Sequence, residues 1–395
     1  MKRIALVSHL AAPGRLTGAE QGLLFLAAGL RGRGRDVLVV VPREGLLAEE
    51  ARRQGCRVRV APYPCLWLVG SRGFLRAREL FHIARFLTGV RAWFRLRRVF
   101  REENVRLVHA NTLVSVWPVL AARSLKLPVL WHAHETLAPG WRRHLFEALL
   151  DRLPQKTVCV SYAAMRALVR IPETRLQVVP IGVAVPPRRT PEDALELRRK
   201  LGLPAEGRFL LWVGHWEPHK GLEHFVQSLG ILRRKKGIAG FRGVVLGEPR
   251  RERKLHAMRR SAARAGVAAN IVWAGYRRDT ERFYKAADVL VFTSLVEETL
   301  PFVVLEAMAA GCPVAGYEVG GVAEAVADGE TGLLVERGNA EALAHALSLL
   351  LENEPRRRSM GEASRRRVEE YYSLERMLDS FERLYEEMLS NNNDR

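Results

Sequence analysis

Short runs of consecutive apolar residues recur along the chain, separated by stretches whose apolar positions repeat at helical spacing. In the first half the runs fall at Ile4–Ser8, Val37–Val41, Val58–Val60, Leu107–His109, Val129–His132 and Thr157–Val160. Runs rich in Val, Ile and Leu that do not alternate with polar residues mark strands buried on both faces. From Gly18 to Leu30 the spacing is helical, and Gly32 and Gly34 break it. Strand–helix alternation of this kind predicts a parallel sheet covered by helices. The proline-rich stretch Pro180 to Asp193 reads as a linker. Beyond it the alternation restarts, with strands predicted at Phe209–Val213, Gly243–Leu246, Ile271–Trp273, Val289–Phe292, Val314–Gly316 and Gly332–Val335. The expected fold is α/β: two Rossmann-like, doubly wound parallel-sheet domains, residues 1–184 and 185–372, with ligands held in a cleft outside the carboxyl ends of the strands. A last helix at about 373–390 has Leu374, Met377, Leu378, Phe381, Leu384, Tyr385 and Met388 on one stripe and is able to dock on either domain.

A chain of 395 residues is long enough for two cores. The four cysteines (Cys56, Cys65, Cys159 and Cys312) are scattered, which fits free thiols in a reducing compartment. The opening MKRIALVSHL has basic residues before an apolar run, but the run is short and reads as a first strand rather than a leader. With no apolar run of membrane-spanning length, a cytoplasmic protein is expected. Charge divides the chain unevenly. Residues 1–188 hold 31 Lys and Arg against 12 Asp and Glu, while the remainder is nearly balanced at 32 against 31. One basic half points to contact with a polyanion or an anionic membrane surface.

The segment Ser294 to Gly332 carries the most chemistry. Glu298 lies eight residues before Glu306, and between them Pro301 sits near the start of the helical run FVVLEAMAA, with Thr299 as candidate cap. A helix start between two carboxylates offers N–H groups to a pyrophosphate and acceptors to sugar hydroxyls. Taken alone, two glutamates in this spacing fit an ordinary solvated loop and helix better. However, Glu306 interrupts an apolar stretch, where a charge needs a partner. A second segment is WVGHWEPHKG: Gly214 ends a strand, and Lys220 with Gly221 opens a helix, a place from which an ammonium can neutralise a diphosphate. In the first half Gly18 precedes a helix after PGRLT, and His132 and His134 share one face of a strand end. Two histidines so spaced are also metal-ligand candidates, but no carboxylate cluster or Asp-x-Asp pair supports a metal, so none is expected.

The run ETLPFVVLE followed by AMAAGCPV closely resembles the signature of the retaining family 4 glycosyltransferases of GT-B fold, and GGVAEAVADGETGLLV continues the likeness. The resemblance is strong from Leu210 to Glu341 and looser before Gly182. It implies sugar transfer from a UDP- or GDP-sugar donor to a glycan or lipid-linked acceptor, with retention, without metal or other cofactor. The first domain would present the acceptor and the second would hold the donor. Glu306 would accept the ribose hydroxyls, and Glu298 would face the transferred sugar. The backbone of Leu300, Phe302 and Val303 would contact sugar or phosphates, and Tyr276, after Gly275, would lie near the base. Lys220 matches a V-G-R-x-x-x-x-K-G pattern that grips the diphosphate, and His215 stands where that pattern has arginine. His134 matches a histidine that contacts the donor sugar, and Gly18 a glycine-rich loop that has Thr17 in place of its first glycine. The resemblance places the catalytic burden on Glu298, Lys220 and His134.

Residues 65–106 interleave ten arginines with Trp67, Phe74, Phe81, Phe86, Trp93, Phe94 and Phe100. From Glu79 to Phe100 they read as one or two amphipathic helices. Two readings stand side by side: arginines and aromatics facing an anionic bilayer at the inner membrane surface, or aromatics packed on the sheet with solvated arginines outside. Nucleic acid is the weaker third, since no recognised module accompanies the charge. A nucleotide-sugar 2-epimerase of similar fold and a non-catalytic membrane or nucleic-acid adaptor are the functional alternatives.

Overall fold

The computed structural model describes residues 2–9, 16–65, 88–137, 140–188, 190–202, 207–234, 240–249 and 251–391. They form two units, Met1–Gly182 with Leu374–Arg395, and Val183–Ser373; the chain leaves the first after Gly182 and returns to it after Ser373.

The first unit is built on seven parallel strands: β1 Arg3–Val7, β2 Val37–Val41, β3 Arg57–Val60, β4 Val105–Asn111, β5 Val129–Ala133, β6 Lys156–Cys159 and β7 Leu176–Val178. Their order is β3-β2-β1-β4-β5-β6-β7. The central strands are buried along nearly their whole length, as their unbroken apolar runs require. β7 was not expected from the sequence. Its three residues, Leu-Gln-Val, pair only with β6 at the sheet edge, too short and too polar at the centre to stand out as an apolar run. The helix Gly18–Gly32 ends where the glycine spacing placed its end.

The last helix, Leu374–Ser390, belongs to this unit. Met377, Leu378, Phe381, Leu384, Tyr385 and Met388 enter the core with Leu23, Ala27 and Leu30 of the Gly18–Gly32 helix. Outside that seam Arg33 pairs with Glu375, Asp379 and Glu382, and Arg35 pairs with Glu382 and Glu386.

The second unit holds six parallel strands: β8 Arg208–Val213, β9 Phe241–Leu246, β10 Ile271–Gly275, β11 Val289–Phe292, β12 Val314–Tyr317 and β13 Gly332–Val335. Their order, β10-β9-β8-β11-β12-β13, turns back between β8 and β11. The corresponding turn-back in the first unit lies between β1 and β4. Ligands of open α/β sheets bind where the strand order reverses, because adjacent loops there diverge to opposite faces and leave a crevice. The proline-rich stretch is shorter than expected as a linker. Val183 already pairs with Ser373, and a helix, Pro191–Lys200, begins within it.

Candidate active site

In the second unit the loops after β8 and β11 meet at the strand-order reversal. After β8 the chain passes through Gly214, an exposed His215 and a 3-10 turn, Pro218–Lys220, before the helix Leu222–Arg234. Gly221 joins the two with φ 68°, and a Cβ there would stand 2.0 Å from the carbonyl oxygen of Thr293. Only glycine permits that approach. Three hydrogen bonds lace the loops together. Trp212 Nε1 donates to Thr293 Oγ1 (2.9 Å), Thr293 Oγ1 donates to the Lys220 carbonyl (2.9 Å), and the Leu295 amide donates to the His219 carbonyl (2.7 Å). Lys220 therefore reaches the residue seventy-eight positions further on that the sequence paired with it in function. Its Nζ lies 2.5 Å from Glu298 Oε1, and Ser294 Oγ donates to the same oxygen at 2.6 Å. Glu298 is held by its backbone too, for its carbonyl accepts from the Gly321 amide at 2.8 Å. Gly320, at φ 48°, passes so close that a Cβ would lie 2.1 Å from that carbonyl oxygen.

Glu306 occupies the second turn of the helix Phe302–Ala309. Its partner is Tyr284, whose hydroxyl donates to Oε2 at 3.0 Å from the helix Thr280–Ala286. Tyr284 is buried, and desolvation together with the Glu306 charge holds its hydroxyl protonated far above the usual range. Thr299 does not cap this helix: Pro301 is the N-cap residue and no side chain caps it. Pro301 holds an extended conformation that its ring favours, and its carbonyl already takes the Val304 amide, so the helix starts without help from Thr299. Leu300 is buried, whereas Phe302 and Val303 at the helix start are partly exposed. Tyr276 lies 46% exposed after Gly275 at the end of the edge strand β10.

The first unit holds His134 and Gly18. Gly18 is the first residue of its helix rather than part of a loop before it. Thr17 is the N-cap, and the buried Glu20 accepts from both the Thr17 amide and its hydroxyl at 2.8 Å. This capping box closes the turn on its own chain. His134 follows β5, its ring centroid 4.1 Å from that of His132. His132 is not a lone core histidine. Its Nδ1 lies 3.1 Å from His109 Nε2 on β4, and His109 Nδ1 lies 2.6 Å from the Tyr385 hydroxyl of the last helix. Burial lowers the His109 pKa to about 3, with His134 adding to the effect, and it lowers that of His132 far below the usual range. Both rings are therefore neutral. Glu135 beside them is pushed up to about 7 by desolvation, against the Leu113 and His134 amides that hydrogen-bond its Oε2. Neither His109 nor Tyr385 was visible as a partner in sequence, because 276 residues separate them. Among the described residues no three His, Cys, Asp or Glu side chains gather as metal ligands.

Of the basic stretch, residues 66–87 lie outside the described residues. The helix Gly89–Glu102 buries Ala92, Leu96 and Phe100. It leaves Phe94 61% and Val90 51% exposed, with Arg97 4.4 Å over the ring of Trp93. The aromatic residues are thus divided, Phe100 inward and Phe94 outward among Arg97, Arg98 and Arg101.

Two doubly wound units, each reversing strand order at its centre, define a GT-B glycosyltransferase architecture, and solved structures share it. The structure of Anabaena Alr3699/HepE in complex with UDP superposes with a TM-score of 0.82 over 98% of this chain and all of that one, at 19% identity. Residues 16–185 match the model of Glycosyltransferase Family 4, and residues 193–367 that of the glycosyl transferases group 1. A 2-deoxystreptamine N-acetyl-D-glucosaminyltransferase of Streptomyces fradiae is 33% identical over 83% of this chain and 81% of its own length. A lipopolysaccharide 1,2-N-acetylglucosaminetransferase of Salmonella typhimurium is 29% identical over 71% and 72%. The chain belongs to the family 4 glycosyltransferases.

Proposed function

We propose that this glycosyltransferase moves a hexose-type sugar from a nucleotide-diphosphate sugar to a glycan or lipid-linked acceptor, with retention and without a metal ion. The observation that carries the reading is the convergence of Lys220 and Glu298 at the strand-order reversal of the second unit, with Glu306 in the second turn of the helix that follows. Lys220 supplies positive charge for the diphosphate as it leaves. Glu298 and the backbone around Leu300 stabilise charge developing on the sugar, and Glu306 takes the ribose hydroxyls. The phosphate oxygen of the donor accepts the acceptor's proton on the face the leaving group vacates. Tyr284 keeps the Glu306 carboxylate aimed, and His215 contributes less charge than the arginine of the family pattern. UDP is the first nucleotide to test, because it and UDP-glucose occupy the Anabaena structures; GDP is the second. The exposed Phe94 and Val90 among arginines suit an acceptor at an anionic lipid surface.

A thermal-shift panel of UDP-glucose, UDP-N-acetylglucosamine, GDP-mannose and ADP-glucose tests the donor reading. At a hundredfold excess over Kd a bound donor adds about 2.7 kcal/mol of stability. The shift is expected with one nucleotide series and is lost in Glu306→Ala together with turnover. No shift with any member, or full turnover in Glu306→Ala, overturns the reading.

A further inference from the structure

Two donors converge on a single oxygen of Glu298, and they differ in how firmly they are fixed. Lys220 Nζ stands 2.5 Å from Oε1 at the end of a flexible four-carbon stem whose side chain is 26% exposed. Ser294 Oγ stands 2.6 Å from the same oxygen, but Ser294 is 1% exposed and has one side-chain torsion. Its neighbours are pinned: Thr293 Oγ1 bonds Trp212 and Lys220, and the Leu295 amide bonds the His219 carbonyl. The other oxygens near Ser294 Oγ, the carbonyls of His219 and Val296, lie at 3.4 and 3.5 Å, so its one hydrogen belongs to Glu298.

We propose that Ser294 is a positioning residue for Glu298, holding Oε1 so that Oε2 stays turned to the sugar when Lys220 swings to the diphosphate. The inference rests on the donor reading given above. Across this 2.5 Å contact the ammonium and the carboxylate neutralise each other. A diphosphate carries more charge than one carboxylate and draws the ammonium to itself. Without a second donor the carboxylate would then be left unheld and sample rotamers that do not meet the sugar. The Ser294 hydroxyl remains, and a charge-assisted hydrogen bond this short is strong enough to hold it. The serine therefore acts where sugar is present and not where nucleotide alone is bound.

The test is a double-mutant cycle on the full chain with the nucleotide sugar that gives the wild type its largest thermal shift, following release of the nucleoside diphosphate. Ser294→Ala is expected to lower kcat by about tenfold to a hundredfold, the range for a lost hydrogen bond to a charged group. Affinity for the nucleoside diphosphate alone, measured by calorimetry, stays within about twofold. On a Glu298→Ala background, which removes the acceptor oxygen, the serine change adds little, because its effect passes through the carboxylate. An equal loss on both backgrounds, or a parallel loss of nucleoside diphosphate binding, marks a structural role and overturns the proposal. Unchanged kcat in Ser294→Ala overturns it as well. If the wild type neither binds nor turns over any panel member, the donor reading fails and takes this inference with it.

Discussion

Buried histidines make the first unit sensitive to acid in a way its surface charge does not predict. His109 is 1% exposed and neutral, with a folded pKa of about 3, whereas in the unfolded chain it titrates near the ordinary 6.5. Below pH 6.5 the unfolded state therefore binds a proton that the folded state refuses. Stability is full above that pH and is lost as pH falls toward the folded value. His9, lowered to about 4, and His132 and His134 act in the same direction. Glu135, raised to about 7, acts oppositely: its folded form keeps a proton that the unfolded chain releases above about 4.5, a contribution that fades as pH rises through 7. One acid cannot offset several histidines. Stability measured by urea unfolding should fall from pH 6.5 to pH 4.5. His109→Gln should reduce the slope by about 1.4 kcal/mol per pH unit, the linkage of one proton. Parallel profiles for the two proteins would show that His109 is protonated in the fold. Of these residues the sequence exposed only the local pair, His132 and His134. Likewise Glu298, Glu306 and Lys220 stood out through motif spacing, but the hydroxyls that hold the two carboxylates did not: Ser294 only opened the segment, and Tyr284 lies on another helix. Side chains that act on a motif from elsewhere carry no local signal.

At the scale of elements, nearly every strand was legible, because a strand buried on both faces must be an unbroken apolar run. β7 escaped for lack of such a run, and the start of the Pro191–Lys200 helix was hidden inside a proline-rich stretch. The host of the last helix was also undecided, since an amphipathic stripe states that a face is buried but not against what. Its docking combines two contributions of different weight. Phe381 is fully buried and its ring lies 5.1 and 5.3 Å from those of His109 and His132. The Arg33 and Arg35 pairs lie near the surface, and several of their acidic partners are more than half exposed. Phe381→Ala should cost about 3–5 kcal/mol of stability. Arg33→Ala should cost closer to 1 kcal/mol and should depend on salt. Chemical denaturation of both variants checks the ranking, and an arginine loss equal to the phenylalanine loss would place the seam's stability in its charges.

At the scale of the whole chain, the charge asymmetry remains the feature that the fold alone does not require. The first 188 residues carry a large basic excess, and the Gly89–Glu102 helix exposes Phe94 and Val90 beside Arg97, Arg98 and Arg101. No helix among the described residues is long and apolar enough to cross a membrane. Binding at an anionic bilayer surface should then appear in sedimentation with phosphatidylserine-containing liposomes, weaken as salt shortens the Debye length, and decline in Phe94→Ala. Equal sedimentation with neutral liposomes, or none with anionic ones, would leave the basic excess to another partner.

The return of the chain to its first unit has a consequence for biogenesis. All seven strands of the first sheet precede the second unit along the chain, yet the helix that covers Leu23, Ala27 and Leu30 is translated only after the whole of that second unit. Until Leu374 and its successors emerge, that apolar face stands bare and Glu382 and Glu386 cannot meet Arg33 and Arg35. The second unit, Val183–Ser373, is complete once Ser373 has left the exit tunnel. Of the two units, the one begun first is therefore completed second, and a chain cut short within that seventeen-residue helix has one closed unit and one open one.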